Sequence, residues 1–210
     1  TRLEAAKVTL KAAQDGLPAI KTAETAAAKI LTDASTDVQA KTDELAKTTA
    51  TKAAAEKIAI EAAAAAQKAG LAKELADELG LVSAAEAKVA VELAASLKAA
   101  SVSDPGNQGL AARATMAEQA SVTATTKATQ TEAARAAPTK AATDSATAAE
   151  DAATKALATN KPFDDSAAAL AASQGTQRTA KSAHDVAARD LAVADQRVPD
   201  VETLVKDLEA

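Results

Sequence analysis

Nearly one residue in three is alanine, 65 of 210. That excess constrains the fold more than any motif in the chain. Alanine is the best helix former, and its methyl group is buried at no cost in side-chain entropy. Leu, Ile, Val and Phe together supply only 34 residues, below the ~20% at which a chain begins to look disordered. The charge balance argues the other way. Twenty-four cations against 29 anions leave a net −5, and disorder usually accompanies a high net charge. The composition therefore predicts an all-α chain of thin helices packed closely. An elongated bundle suits so small a supply of large apolar groups better than a sphere does. Strand-forming runs are missing and only 6 Gly are available for turns, which argues against a globular α/β enzyme.

The expected breaks are few. Thr1-x-x-Glu4 has the form of a capping box ahead of Leu3 and Leu10, and Gly16 suits a left-handed helix end. Pro18 then suits the first turn of a second helix. From Pro18 to Ala69 there is neither Gly nor Pro, which predicts a long rod over 18–69. Its apolar stripe is Ile20, Ala27, Leu31, Val38 and Leu45, then Ile58 or Ile60. Leu31, Val38 and Leu45 recur at coiled-coil spacing, while the longer step to Ile60 predicts a relaxed supercoil there. The Thr48–Thr51 cluster is its weakest part, because hydroxyls compete for backbone partners.

Gly70 and Gly80 bracket an amphipathic piece, 71–79, carrying Leu71, Leu75 and Leu79. Ser83-x-x-Glu86 reads as a second capping box opening a helix over 83–101 that carries Val89, Leu93 and Leu97 at helical spacing. The clearest loop is 103–109, Ser103-Asp104-Pro105-Gly106-Asn107-Gln108-Gly109. A second rod follows over 110–160, which Pro138 should kink or divide. Between Val122 and Leu157 it has no Val, Ile, Leu, Met or Phe. It can be ordered only if a partner rod supplies the larger knobs. Around 161–165 another turn is expected, with Asp164 as N-cap and Phe163 as staple. A helix over 164–196 carries Leu170, Val186, Leu191 and Val193, and Pro199 opens a terminal helix with Val201, Leu204, Val205 and Leu208. Charges at helical spacing, Asp43–Lys47, Asp151–Lys155 and Asp185–Arg189, with Lys57–Glu61 and Lys73–Asp77 in the weaker orientation, read as solvated outer faces.

Residues that could carry chemistry are scarce. His184 is the only histidine and stands beside Ser182 and Asp185. Neighbours on a helix point in different directions, and no strained nucleophile turn accompanies them, so no catalytic residue is assigned. With one His and no Cys, a metal site would need carboxylates. Glu150-Asp151 and Asp164-Asp165 are adjacent pairs rather than the spaced loop that Ca²⁺ requires. No metal or cofactor is assigned. Gly106 and Gly109 lack the Lys-Ser/Thr that completes a phosphate loop. The mild acidity and the absence of Trp and Tyr argue against nucleic acid as a partner. No apolar run is long enough to span a membrane. The Thr115–Thr126 and Thr143–Thr154 spacings suit an ice-binding helix, but most other threonines miss that register.

One stretch, Glu56-Lys57-Ile58-Ala59-Ile60-Glu61-Ala62-Ala63-Ala64-Ala65-Ala66-Gln67-Lys68, resembles the alanine-rich surface coat proteins of African trypanosome insect stages, the glutamic acid/alanine-rich proteins among them. The chain departs from that pattern in having 14 Glu beside 15 Asp. Its lack of cysteine also separates it from the variant surface glycoproteins. The resemblance implies an extended helical ectodomain on the outer face of the plasma membrane, with a glycolipid anchor attached beyond Ala210. It implies neighbouring coat molecules as partners and no catalytic residues. The chain has no initiating Met, which predicts a processed or engineered amino terminus.

The resulting expectation is a single extended domain over 1–210: an elongated antiparallel helical bundle of two long Ala-rich helices and several shorter ones. Its expected role is that of a protective coat. The alternatives are a helical receptor for a host or vector macromolecule, and an intracellular coiled-coil scaffold. The receptor needs an exposed apolar patch, for which the sequence has few large side chains to spare.

Overall fold

The structure, a computed structural model, describes every residue from Thr1 to Ala210. It is all-helical, with α1 at Arg2–Ser103, α2 at Gln108–Ala134, α3 at Ala136–Ala158 and α4 at Asn160–Glu209. The chain divides into two compact units. Unit 1 joins Thr1–Lys52 to Thr159–Ala210, and unit 2 is Ala53–Ala158.

In unit 1 the first part of α1 lies against α4 in the opposite sense. Lys7 Nζ meets Glu209 Oε1 at 2.8 Å, Gln14 Nε2 donates to Glu202 Oε1 at 3.1 Å, and Lys21 Nζ meets Asp195 Oδ1 at 3.5 Å. Each step advances seven residues on α1 and retreats seven on α4. Beside this ladder runs a line of buried and half-buried residues: Leu3, Ala6, Leu10, Ala13, Leu17, Ile20, then Leu31, Ala34, Val38 and Leu45. On α4 the matching line is Phe163, Ser166, Leu170, Ser173, Gln177 and Ala180, then Leu191, Ala194, Val198, Val201 and Val205. Alternating steps of three and four keep one narrow stripe of a helix facing its partner, the heptad pattern of a coiled coil.

Unit 2 repeats the arrangement with smaller side chains. Lys98 meets Glu118 at 2.7 Å, Glu86 meets Lys127 at 2.8 Å and Asp77 meets Arg135 at 2.7 Å, again in opposite senses. The seam of α1 here reads Ala55, Ala59, Ala62, Ala66, Ala69, Lys73, Ala76, Gly80, Ser83, Ala87, Ala90 and Ala94. It faces Ala114, Ala117, Ser121, Ala124, Ala128 and Thr131 of α2, and Ala142, Ala149 and Ala152 of α3. Methyl-sized groups allow two helices to approach closely, so backbone and Cβ atoms make the contact.

This seam corrects the expected assignment of the core. Of the residues below a tenth exposed, Val205 is the only large apolar one; the others are Ala6, Ala34, Ala94, Ala114, Ala117, Ala152, Ala180, Ser83 and Ser173, with Gly80 buried beside them. Ile58 and Ile60 are 59% and 70% exposed, because the seam passes through Ala59 between them. No relaxation of the repeat is needed, since Leu45, Lys52 and Ala59 continue it in sevens. Leu71, Leu75, Leu79, Val89 and Leu93 also face outward, as do Val186 and Val193 of α4.

Most of the expected breaks are absent. No residue has a positive φ, so Gly16 makes no left-handed end, and α1 passes through Gly16, Pro18, Gly70 and Gly80 without interruption. A glycine inside a helix costs about 1 kcal/mol, which a long Ala-rich helix tolerates. The rod expected over 18–69 and the separate helices over 71–79 and 83–101 are thus one helix. Ser83 does not cap. Its hydroxyl donates to the carbonyls of Leu79 at 2.8 Å and Gly80 at 3.1 Å inside α1. Only half of the first capping box forms, with Glu4 N donating to Thr1 Oγ1 at 3.4 Å.

Two prolines do divide the helical stretch that follows Asn107. Their rings clash with the carbonyl four residues earlier, and the breaks fall at Arg135 and Thr159, one residue past those carbonyls for Pro138 and Pro162. The rod over 110–160 is therefore α2 and α3, and both are helical through the stretch between Val122 and Leu157. Asp164 lies inside α4 rather than capping it, and α4 continues through Pro199. The loop at 103–109 shortens to Asp104–Asn107. There Asn107 Oδ1 accepts from Leu110 N at 3.2 Å and caps α2.

An inverted core of this kind gives contrasting mutational outcomes. Ala94→Leu should cost about 1–3 kcal/mol by overpacking a 6% exposed contact, while Ile60→Ala should stay within about 0.5 kcal/mol. Leu31→Asp, which sets a charge into the seam of unit 1, should cost about 2 kcal/mol or more. Urea unfolding followed by circular dichroism checks all three. Equal losses for Ala94→Leu and Ile60→Ala would contradict the seam.

Candidate functional site

The seams are interrupted by polar layers, and these hold the chemically distinctive side chains. In unit 1, Ser173 Oγ donates to Asp37 Oδ2 at 2.6 Å, and Gln177 Nε2 donates to Ser35 Oγ at 3.1 Å. Ser173 is only 5% exposed, so its hydroxyl depends on this partner. One heptad beyond Gln177, His184 Nε2 stands 3.4 Å from Glu24 Oε1, and its Nδ1 stands 3.8 Å from Asp185 Oδ1. Both His184 and Glu24 occupy seam positions. Asp185 is also held by Lys181 at 2.9 Å, and that bond, with a smaller contribution from His184, keeps the carboxyl below the usual aspartate range. A carboxylate oxygen thus lies near each ring nitrogen of the imidazole. Ser182 is exposed and takes no part, so Ser182, His184 and Asp185 are not aligned as nucleophile, base and orienting group.

The densest cluster lies in unit 2. Arg135 donates from Nε and Nη2 to Asp77 Oδ1 at 2.9 and 2.7 Å, and from Nη1 to Glu132 Oε2 at 2.6 Å. Lys73 Nζ donates to the other oxygen of Asp77 at 2.8 Å. Gly80 makes room for this arrangement. A methyl group placed there would lie 2.8 Å from Arg135 Cδ. The bonds from Lys73, then Arg135, hold the Asp77 carboxyl below its usual range, and the Asp77 and Glu132 carboxylates raise the Arg135 guanidinium. Sequence reasoning saw Lys73–Asp77 only as a surface pair and Gly80 only as a break. The signal it passed over was the seven-residue step from Lys73 to Gly80, which places both on one seam.

The remaining candidates stay apart. Glu150 and Asp151 are exposed, and Asp165 pairs with Lys161 at 2.7 Å. No group of three or more His, Cys, Asp or Glu residues is placed to hold a metal ion. Gly106 and Gly109 flank the short turn before α2. Thr115, Thr126 and Thr143 donate to the carbonyls of Ala111, Val122 and Thr139 at 3.1, 2.8 and 3.1 Å. Their protons are committed to their own helix. Charge pairs also rearrange. Lys47 lies 3.9 Å from Glu44 and Asp185 takes Lys181, whereas Lys57–Glu61 and Lys73–Asp77 form as read. A groove of about 320 Å³ in unit 1 is lined by Thr9, Gly16 and Ile20 on one helix and Asp190, Val193 and Arg197 on the other.

Chemically, the layers fix register. Asp77 is ionised more readily in the fold than in the open chain, so its contribution is full above the open-chain value of ~3.9 and fades as pH falls through the lower folded value. Arg135→Ala should lower the melting temperature at pH 7, and the gap to wild type should close as pH drops below about 4. Gly80→Ala should reproduce part of that loss. Melting curves across pH 2.5–7 check both, and a gap that persists at the acid end would refute the role given to this pair.

Comparison with known protein families, with characterised proteins and with solved structures finds no match to this chain.

Proposed function

We propose that the chain is a structural, protective surface-coat protein. In this reading it is an elongated antiparallel bundle, held to the outer face of a plasma membrane by a glycolipid attached beyond Ala210. Neighbouring coat molecules are its partners. The observation that carries the proposal is the make-up of both units. Each consists of paired helices in contact along one narrow heptad line, of small side chains in unit 2 and of mixed large and small ones in unit 1, and the polar residues between them are spent on register. Such construction suits a slender scaffold that screens a surface. No helix is long and apolar enough to cross a membrane. The resemblance of the Ala-rich stretch around Glu56–Lys68 to insect-stage coat proteins supports the same role.

A second reading, a helical receptor for a host or vector macromolecule, gains from one observation. Large apolar side chains are exposed where the sequence suggested none to spare, including Leu81 at 70% and Met116 at 69%. Scattered singly, such residues are ordinary on protein surfaces, so the coat reading stands first.

Biotinylation of intact source cells with a membrane-impermeant reagent, followed by phosphatidylinositol-specific phospholipase C, tests the coat. The protein should be labelled and then released. An unlabelled, intracellular protein would overturn the proposal. Specific retention of one host or vector protein on the purified chain would favour the receptor.

A further inference from the structure

We propose that a second copy of this chain packs on unit 2 through the stripe Leu75, Leu79, Val82, Val89 and Leu93. These side chains are 59%, 54%, 56%, 64% and 54% exposed. With Glu86 they form a line whose steps are four, three, four, three and four residues. Each member stands one residue before a seam residue, namely Ala76, Gly80, Ser83, Ala87, Ala90 and Ala94. One residue is a rotation of ~100° about a helix. The same helix therefore carries two parallel heptad lines. The line of small residues meets α2 and α3, and the line of large residues has no partner within the chain.

Three observations point to a copy of this chain as the occupant. The stripe is continuous with the contact already made, because Ala90 lies on the seam and also lines the apolar groove formed with Val82, Ala85, Val89 and Leu93. The one charge in the stripe is already neutralised, since Glu86 Oε2 lies 2.8 Å from Lys127 Nζ of α2. The spacing reads the same in both directions, so two copies related by a two-fold axis lay the stripe on itself, with Val82 at its centre against the Lys127-paired Glu86 of the partner copy. Leu75 would meet Leu93 of the partner copy, and Leu79 would meet Val89 of the partner copy. In a two-fold interface each such contact occurs twice. The area is sufficient for a reversible dimer. Five side chains at this exposure offer at most ~500 Å² per copy, hence ~1,000 Å² in total, in the range of weak, transient interfaces. The pairing holds wherever the chain resides and does not rest on the coat reading.

Sedimentation equilibrium of the full chain up to roughly 0.5 mM, with circular dichroism as the check on folding, tests this. Wild type should show a monomer–dimer equilibrium. Leu79→Lys and Val89→Glu should each weaken it at least ~100-fold while leaving helicity intact, because both side chains lie outside the intramolecular seam. Combined in one chain, the two changes place Lys opposite Glu across the two-fold axis, and dimerisation should return in part. Ile60→Lys, outside the stripe, should leave the equilibrium unchanged. A wild-type chain that remains monomeric over the whole range would overturn the proposal. So would a double variant no more dimeric than either single one.

Discussion

Two helices approach as closely as the side chains between them allow, and in both units those side chains recur at heptad spacing, mixed large and small in unit 1 and mostly methyl-sized in unit 2. Everything else in the structure follows from that contact. A seam of Ala76, Gly80, Ser83, Ala87, Ala90 and Ala94 buries little apolar area per residue. It therefore gains from close backbone approach and from repetition rather than from any one anchor. Length replaces bulk, which is why α1 runs unbroken from Arg2 to Ser103. Each added heptad contributes another modest contact at little further nucleation cost.

A seam so uniform has a weakness. Where one alanine looks like the next, a helix could slip by a heptad and find nearly the same contacts. The polar layers remove that degeneracy. Ser173 finds Asp37 at one register, and Gln177 finds Ser35 at the same one. Arg135 reaches Asp77 only where Gly80 leaves space beneath its Cδ. Such groups add little to stability when solvated, and their value lies in the alternatives they penalise. The ladder of Lys7, Gln14 and Lys21 with Glu209, Glu202 and Asp195 acts alike on the sense of pairing in unit 1. A parallel arrangement would not bring those ends together.

The helical class was legible from alanine content, and the Leu31, Val38 and Leu45 stripe was legible from its spacing. Both seam periodicity and breaks were harder to read, for separable reasons. In the first half of α1 large residues mark the seam, so counting Leu and Val finds it. Beyond Lys52 the seam is carried by alanine, and alanine also fills the outer faces. Its periodicity is hidden by its abundance, and the eye is drawn to Ile58 and Ile60 on either side of the true contact at Ala59. Glycine misled in the same way. Gly16 and Gly70 have open space around them, and Gly80 is an indentation for a guanidinium, so none ends a helix. Proline was read correctly where Pro138 divides the stretch over 110–160 at Arg135. Of the candidate site, His184 was visible as the lone histidine, but its partner Glu24 was not. The two are brought together by a pairing register that no local pattern encodes.

The inverted distribution also changes what exposure means here. In a compact domain an exposed leucine is a residue left over after the core is filled. In these helices the core accepts little larger than a methyl group over most of unit 2, so most leucines and valines there are displaced to an outer face by the seam itself, with Leu97 and Leu110 half-buried. The outer faces then inherit the heptad repeat, offset by one residue, wherever large side chains follow it. Leu75 through Leu93 keep that repeat, whereas Leu81, Val91 and Ile60 do not. Regularity, rather than hydrophobicity alone, separates a face that can mesh with another helix from apolar side chains that merely remain in water. The small-residue seam thus acts twice: it joins the helices of unit 2, and it orders the large residues that it excludes.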